Sequence, residues 1–180
     1  IDTPSRTTLL DIDGDDDLDI VGSSLQGDFI YLYKNIDGQG NFGPQIVVEA
    51  PSLTMLTMGD IDGDGDPDMM YAYSGVSKLV WRENSDGQGS FGPEKIISEG
   101  AFFPRVIELA DFNGDDQLDL IISVNAATGD VFWMENTNGL GNFGPAQLIE
   151  DNSEYTRSLY TTDLDSDGDL DVLTTSINDQ

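Results

Sequence analysis

The chain has 180 residues, of which 35 are Asp or Glu and only 7 are Lys or Arg, for a formal charge of −28, with no histidine and no cysteine. That balance disfavours nucleic acid and anionic membrane surfaces as partners. It also excludes disulfides, thiol nucleophiles, Ser-His-Asp triads and histidine-ligated zinc within this chain. No apolar run approaches the ~20 residues of a membrane span, so direct membrane insertion is not expected.

Taken in chain order, residues 1–10 read as a strand leading into the acidic nonapeptide DIDGDDDLD at 11–19. An apolar, β-branched run follows, LDIVGSS, and then a segment that ends in an aromatic and turns through Asp37-Gly38, YLYKNIDGQGNFGP at 31–44. A last strand, QIVVE, closes the unit. The same order returns with DIDGDGDPD at 60–68, PDMMYAY, LVWRENSDGQGSFGP at 79–93 and EKIIS, and again with DFNGDDQLD at 111–119, LDLIISV, VFWMENTNGLGNFGP at 131–145 and AQLIE. A fourth copy begins with DLDSDGDLD at 163–171 and LDVLTTS. The nonapeptides lie 49, 51 and 52 residues apart. Asp-Gly and Asn-Gly pairs supply the positive φ angles of tight hairpins, so each unit predicts four antiparallel strands in about 50 residues. Four short strands per repeat of that length are the mark of a β-propeller blade.

The nonapeptide spacing has a chemical reading. Oxygen-bearing side chains fall at positions 1, 3, 5 and 9, and with the backbone carbonyl of position 7 they can converge on one hard cation. A flexible ring of six to eight oxygens suits Ca²⁺ better than Mg²⁺, which demands a strict octahedron. The candidate ligands are Asp11, Asp13, Asp15, Asp17 and Asp19 in the first loop, then Asp60, Asp62, Asp64, Asp66 and Asp68. The third loop offers Asp111, Asn113, Asp115, Gln117 and Asp119, and the fourth Asp163, Asp165, Asp167, Asp169 and Asp171. Position 7 (Asp17, Asp66, Gln117, Asp169) contributes through its carbonyl. Up to four Ca²⁺ are expected. Carboxylates roughly 5 Å apart repel by about 3 kcal/mol at an effective dielectric of about 20, so such a loop should open without a cation. A merely solvated acidic stretch needs neither this spacing nor an apolar residue at position 2, where Ile12, Ile61, Phe112 and Leu164 stand. An EF-hand is excluded because position 12 carries Gly22, Tyr71, Ile122 and Thr174 rather than Glu, and strands rather than helices flank the loop.

Asp loop, buried strand and Phe-Gly hairpin (Phe42-Gly43, Phe91-Gly92, Phe143-Gly144) together resemble the FG-GAP or VCBS repeat family of calcium-binding propeller repeats, found in integrin α-subunit heads, some lectins and many bacterial surface proteins. The Gly-Ala-Pro element is missing, its positions reading GSS, YAY, VNA and TSI, which favours the bacterial VCBS-type branch over an integrin head. The resemblance implies an all-β fold of seven blades, of which this chain supplies three and a half: repeats 1–49, 50–99, 100–150 and an incomplete 151–180. A half-ring would leave apolar strand edges open, so the remaining blades are expected from a longer chain or another subunit.

Function follows from what is absent as much as from what is present. With no His or Cys the chain is expected not to be an enzyme. The leading expectation is a calcium-stiffened adhesion or protein-interaction scaffold outside the cell or on its surface, where calcium is millimolar. The alternative is a lectin-like propeller in which Tyr33, Trp81 and Trp133, with Asn35, Asn84 and Asn136, bind a surface glycan; against it, a large aromatic once per blade is ordinarily core packing. A propeller-fold polysaccharide-active enzyme, built with residues from further blades, stands third. Arg6, Arg105 and Arg157, five or six residues ahead of their loops, are expected to make structural bonds to carboxylates or carbonyls rather than to hold an anion.

Overall fold

The computed structural model describes residues 4–24, 28–73, 76–100, 103–124, 129–151 and 156–176. It is all β. The first sheet runs in the order β1 (Pro4–Leu10), β2 (Asp19–Ser24), β3 (Phe29–Tyr33), β4 (Ile46–Glu49), every neighbour antiparallel. The second repeats it with β5 (Leu53–Gly59), β6 (Asp68–Tyr73), β7 (Lys78–Arg82) and β8 (Lys95–Glu99), and the third with β9 (Pro104–Ala110), β10 (Asp119–Val124), β11 (Val131–Met134) and β12 (Gln147–Glu150). A two-stranded sheet, β13 (Ser158–Thr162) with β14 (Asp171–Thr175), follows. Each nonapeptide joins the first strand of a sheet to the second, and each Asn-to-Phe hairpin joins the third to the fourth through a bridge, Asn35 to Phe42, Asn84 to Phe91 and Asn136 to Phe143. These are the meandering four-stranded blades of a propeller. No helix among the described residues is long and apolar enough to cross a membrane.

The apolar side chains settle between sheets, not within one. Ile12, Val21 and Leu32 of the first sheet pack on Leu56, Met69 and Tyr71 of the second. Met70, Leu79 and Trp81 pack on Ile107, Leu120 and Ile122 of the third, and Val106, Ile121 and Val131 receive Leu159 of the fourth. This layering explains why β6 and β10 are buried at every position while β14 alternates between half-buried and exposed. The inner two sheets are covered on both faces. Among the described residues no apolar layer joins the fourth sheet to the first, and Leu9, Leu18, Tyr160, Leu164 and Leu173 stand exposed on the outer sheets.

Candidate metal centres

Each acidic loop folds around its first carboxylate. Asp11 accepts backbone N–H bonds from Gly14 (2.8 Å), Asp15 (3.2 Å) and Asp16 (2.8 Å). Asp60 accepts from Gly63 and Gly65, Asp111 from Gly114, Asp115 and Asp116, and Asp163 from Ser166, Asp167 and Gly168. Positions 4 and 6 take φ between 65° and 101° in all four copies, with Asp16, Asp116 and Ser166 tolerating the left-handed conformation as short polar residues can. Burial pushes the Asp11 carboxyl up, but the N–H groups of Asp16, Gly14, Asp15 and Asp13 outweigh it and hold the pKa below the ordinary carboxylate value.

The carboxylates converge as the spacing predicts in three of the loops. Ligand oxygens of Asp11, Asp13 and Asp15, of Asp60, Asp62 and Asp68, and of Asp163, Asp165 and Asp171 lie within 4.8 Å of one another in each group. Two details favour a cation. Asp13 Oδ1 and Asp62 Oδ1 are buried with no hydrogen-bond partner, a costly state for a carboxylate oxygen unless something positive faces it. Asp62 is also pushed up by burial and by Asp64, Glu83 and Asp60, with Lys95 pulling partly the other way. The residues present therefore fit a hard divalent cation. In the third loop the Asn113 amide donates to Asp115 Oδ2 at 3.1 Å, so part of the repulsion is relieved internally.

Position 9 has a second task. Asp19 Oδ2 accepts from Ile12 N at 3.0 Å and its Oδ1 from Asn35 N at 2.7 Å, and Asp68 does the same with Ile61 and Asn84 at 3.0 and 2.9 Å. Asp119 takes Asn136 N at 2.8 Å and the Trp133 indole N–H at 3.0 Å. This carboxylate thus staples loop to hairpin, and burial raises the Asp68 pKa to about 7, against the two N–H bonds and with Asp62 and Asp64 adding to the rise. The position 7 side chains turn away from the cluster: Asp17, Asp66 and Gln117 lean on Gly38, Gly87 and Gly139, where any Cβ would collide with them. That orientation matches a role for position 7 through its carbonyl alone.

The hairpin asparagines are the functional residues that sequence reasoning misjudged. They read as sugar ligands, yet Asn35, Asn84 and Asn136 are all buried. Asn84 Oδ1 accepts from Gly89 N at 2.8 Å, and its Nδ2 reaches across to the carbonyl of Ile12, in the preceding sheet's loop, at 3.0 Å. Asn136 repeats the clasp on Ile61 at 2.8 Å. Gln88 adds a bond to the Asp13 carbonyl at 3.0 Å, and Lys34 pairs with Asp13 Oδ2 at 3.1 Å. Trp81, the other sugar candidate in that sheet, is 2 % exposed and belongs to the core; Tyr33 and Trp133 are half-buried, Tyr33 accepting from Gln45.

Consecutive four-stranded meanders, each carrying an aspartate loop between its first two strands, define the chain as a β-propeller repeat protein whose loops gather carboxylates. The model of the FG-GAP-like repeat matches residues 11–71 and 60–122, more than half of the chain, and the chain belongs to that family. No curated protein sequence matches it. Among solved structures it is similar to a chain of the Photorhabdus luminescens Tc holotoxin pore, with a TM-score of 0.60 over 93% of this chain at 20% identity; the match spans 8% of that chain's length. At that identity the likeness concerns the fold.

Proposed function

We propose that this chain is a calcium-binding segment of an extracellular or cell-surface β-propeller that works as a non-catalytic protein-interaction scaffold. The observation that carries the reading is the pair of orphaned, buried oxygens Asp13 Oδ1 and Asp62 Oδ1 inside oxygen-only clusters. Such donor sets select hard cations, and loops of this flexibility suit Ca²⁺. Family membership supports the same choice, since FG-GAP-like repeats are typical of extracellular proteins. The toxin assembly in which a similar fold occurs supports an interaction role. Trp81, Asn84 and Asn136, buried as they are, leave the glycan reading without a site at those residues.

When bound, the ion would supply positive charge to the carboxylate ring. The chain's own residues do the rest: Asp11, Asp60 and Asp163 order their loops, Asp19 and Asp68 tie the first two to their hairpins, and Asn84 and Asn136 tie those same two loops to the next sheet. Rigid blades then present their connecting loops to a partner. The test is thermal unfolding in chelator and in millimolar calcium. Linkage gives about 2.7 kcal/mol per site at 100 times the dissociation constant, so the midpoint should rise sharply with calcium. Equal midpoints would defeat the proposal.

A further inference from the structure

Three of the chain's seven basic residues share one cavity. Arg6 on β1, Arg105 on β9 and Arg157 just ahead of β13 line a space of about 480 Å³ between the first strands of the four sheets, together with Thr8, Thr57 and Glu108. The other four cations are already spent on carboxylates: Lys34 on Asp13 at 3.1 Å, Lys78 and Arg82 on Glu94 at 2.7 and 3.3 Å, Lys95 on Glu83 at 2.6 Å. Among the described residues no carboxylate stands within ion-pair distance of Arg6, Arg105 or Arg157, which contradicts the structural bonds expected of them. In a chain carrying 35 acidic residues, three arginines that line one space with Glu108 as the one acidic residue among its lining call for a ligand.

The backbone aims two of them. The pairing of β9 with β10 slips between Val106–Ser123 and Pro104–Val124, leaving Arg105 on a bulge. Arg157 and Ser158 likewise both meet Thr175, the first through its N–H on the Thr175 carbonyl at 2.7 Å and the second as register partner. Counted back from the position 9 aspartate, the two arginines occupy the same place in their repeats. Bulges redirect a side chain out of the alternating pattern and recur beside binding sites. In the second sheet the slip falls at Thr54, whose hydroxyl donates to Ala72 O at 3.1 Å instead. Burial pushes the Glu108 carboxyl up while Arg6 pulls it partly back. Glu108 cannot neutralise all three guanidiniums.

We infer that this cavity binds an oxyanion group, a sulfate, phosphate or carboxylate carried by a compact ligand, held by Arg105 and Arg157 with Arg6 at its margin. Planar guanidinium forks match such oxygens two at a time, and hydroxyls such as Thr57 complete the donor set. The site is separate from the acidic loops and does not require them to hold calcium.

Isothermal titration of the 180-residue chain in calcium at low ionic strength tests it, with inorganic sulfate and glucuronate as probes and glucose as the uncharged control. The expected result is saturable binding of sulfate, glucuronate or both with one site per chain and none of glucose; which anion binds tells a tetrahedral from a planar oxyanion. Arg105→Gln or Arg157→Gln should weaken it about tenfold or more, the scale of one charge-assisted bond. Lys95→Gln, which removes the same charge elsewhere, should leave it unchanged. Should Arg105→Gln fail to fold, Arg157→Gln, exposed and just ahead of β13, carries the comparison. Absence of saturable anion binding, or equal weakening by Lys95→Gln, would overturn the inference.

Discussion

Replacing Asn84 by Ala removes a bond acceptor from Gly89 N and a donor to Ile12 O, at 2.8 and 3.0 Å, in a position with no solvent exposure. Each buried group left without a partner costs about 1–3 kcal/mol, so the two together should cost roughly 2–6 kcal/mol. For a chain of this size each kcal/mol corresponds to about 2–4 °C, and the calorimetric midpoint in calcium should fall by roughly 4–24 °C. Asn35 is the internal control. Its amide reaches only Leu18 O, at 3.4 Å, and within its own sheet, while Gly40 N donates to it at 3.0 Å. Asn35→Ala therefore loses one good bond and should cost about 1–2 kcal/mol. The location of the damage is as diagnostic as its size. Because Asn84 holds a loop 72 residues away, amide hydrogen exchange over 11–19 should accelerate in Asn84→Ala and much less in Asn35→Ala. If both variants lose the same stability, or exchange over 11–19 is unchanged in Asn84→Ala, the clasp does not couple neighbouring blades.

Three further outcomes follow from the same geometry. Lanthanide luminescence or calorimetry at limiting calcium should fill the 111–119 loop last, and Asn113→Asp should move it forward, since the present amide both lacks charge and occupies Asp115; early filling of the wild-type loop would contradict this. Gly141→Ala should cost about 1–3 kcal/mol more than Gly40→Ala in denaturant unfolding, because both glycines have positive φ but only the first would drive a methyl into the Trp81 ring; equal costs would mean the hairpin and ring simply move apart. Burial pushes the Glu94 carboxyl up, but Lys78, Tyr73, Tyr71 and Arg82 outweigh it and lower the pKa from 4.5 to about 2. A depressed carboxyl stabilises the fold fully above 4.5 and loses that contribution as pH falls toward 2, so the stability gap between wild type and Glu94→Gln should be flat at neutral pH and shrink through that window; a constant gap would show that the carboxylate's charge is not what the cluster uses.

The repeat, its four strands, the hairpin turns and the aspartate loops were all legible because each is a local pattern: alternation of apolar residues, Asp-Gly pairs, and a nonapeptide whose period survives every copy. The position 2 residue was legible as apolar and is explained by the structure, where Ile12 and Ile61 plug the layers between sheets. Asn84 and Asn136 were misjudged because their partners lie 72 and 75 residues away, and no short-range pattern announces a carbonyl in another sheet. Trp81 gave an ambiguous signal for a related reason, since an aromatic that lines a sugar site and one that fills a core look alike until the facing sheet is in place. Arg105 and Arg157 share a place in the repeat, but Arg105 sits on a slip in pairing, and Arg157 on an extra backbone bond to Thr175, that composition does not encode.

The clasps made by Asn84 and Asn136 all point the same way, from a later repeat back to the loop of the one before it. Completion of a loop is thus offset from its synthesis by one unit: residues 11–19 acquire their last bond only when residue 84 has emerged, and residues 60–68 only when residue 136 has. In a chain made from its N-terminus onward, each of these two loops would wait for a further repeat before receiving its clasp, so that blade stacking would advance as a front one blade behind the newest residues.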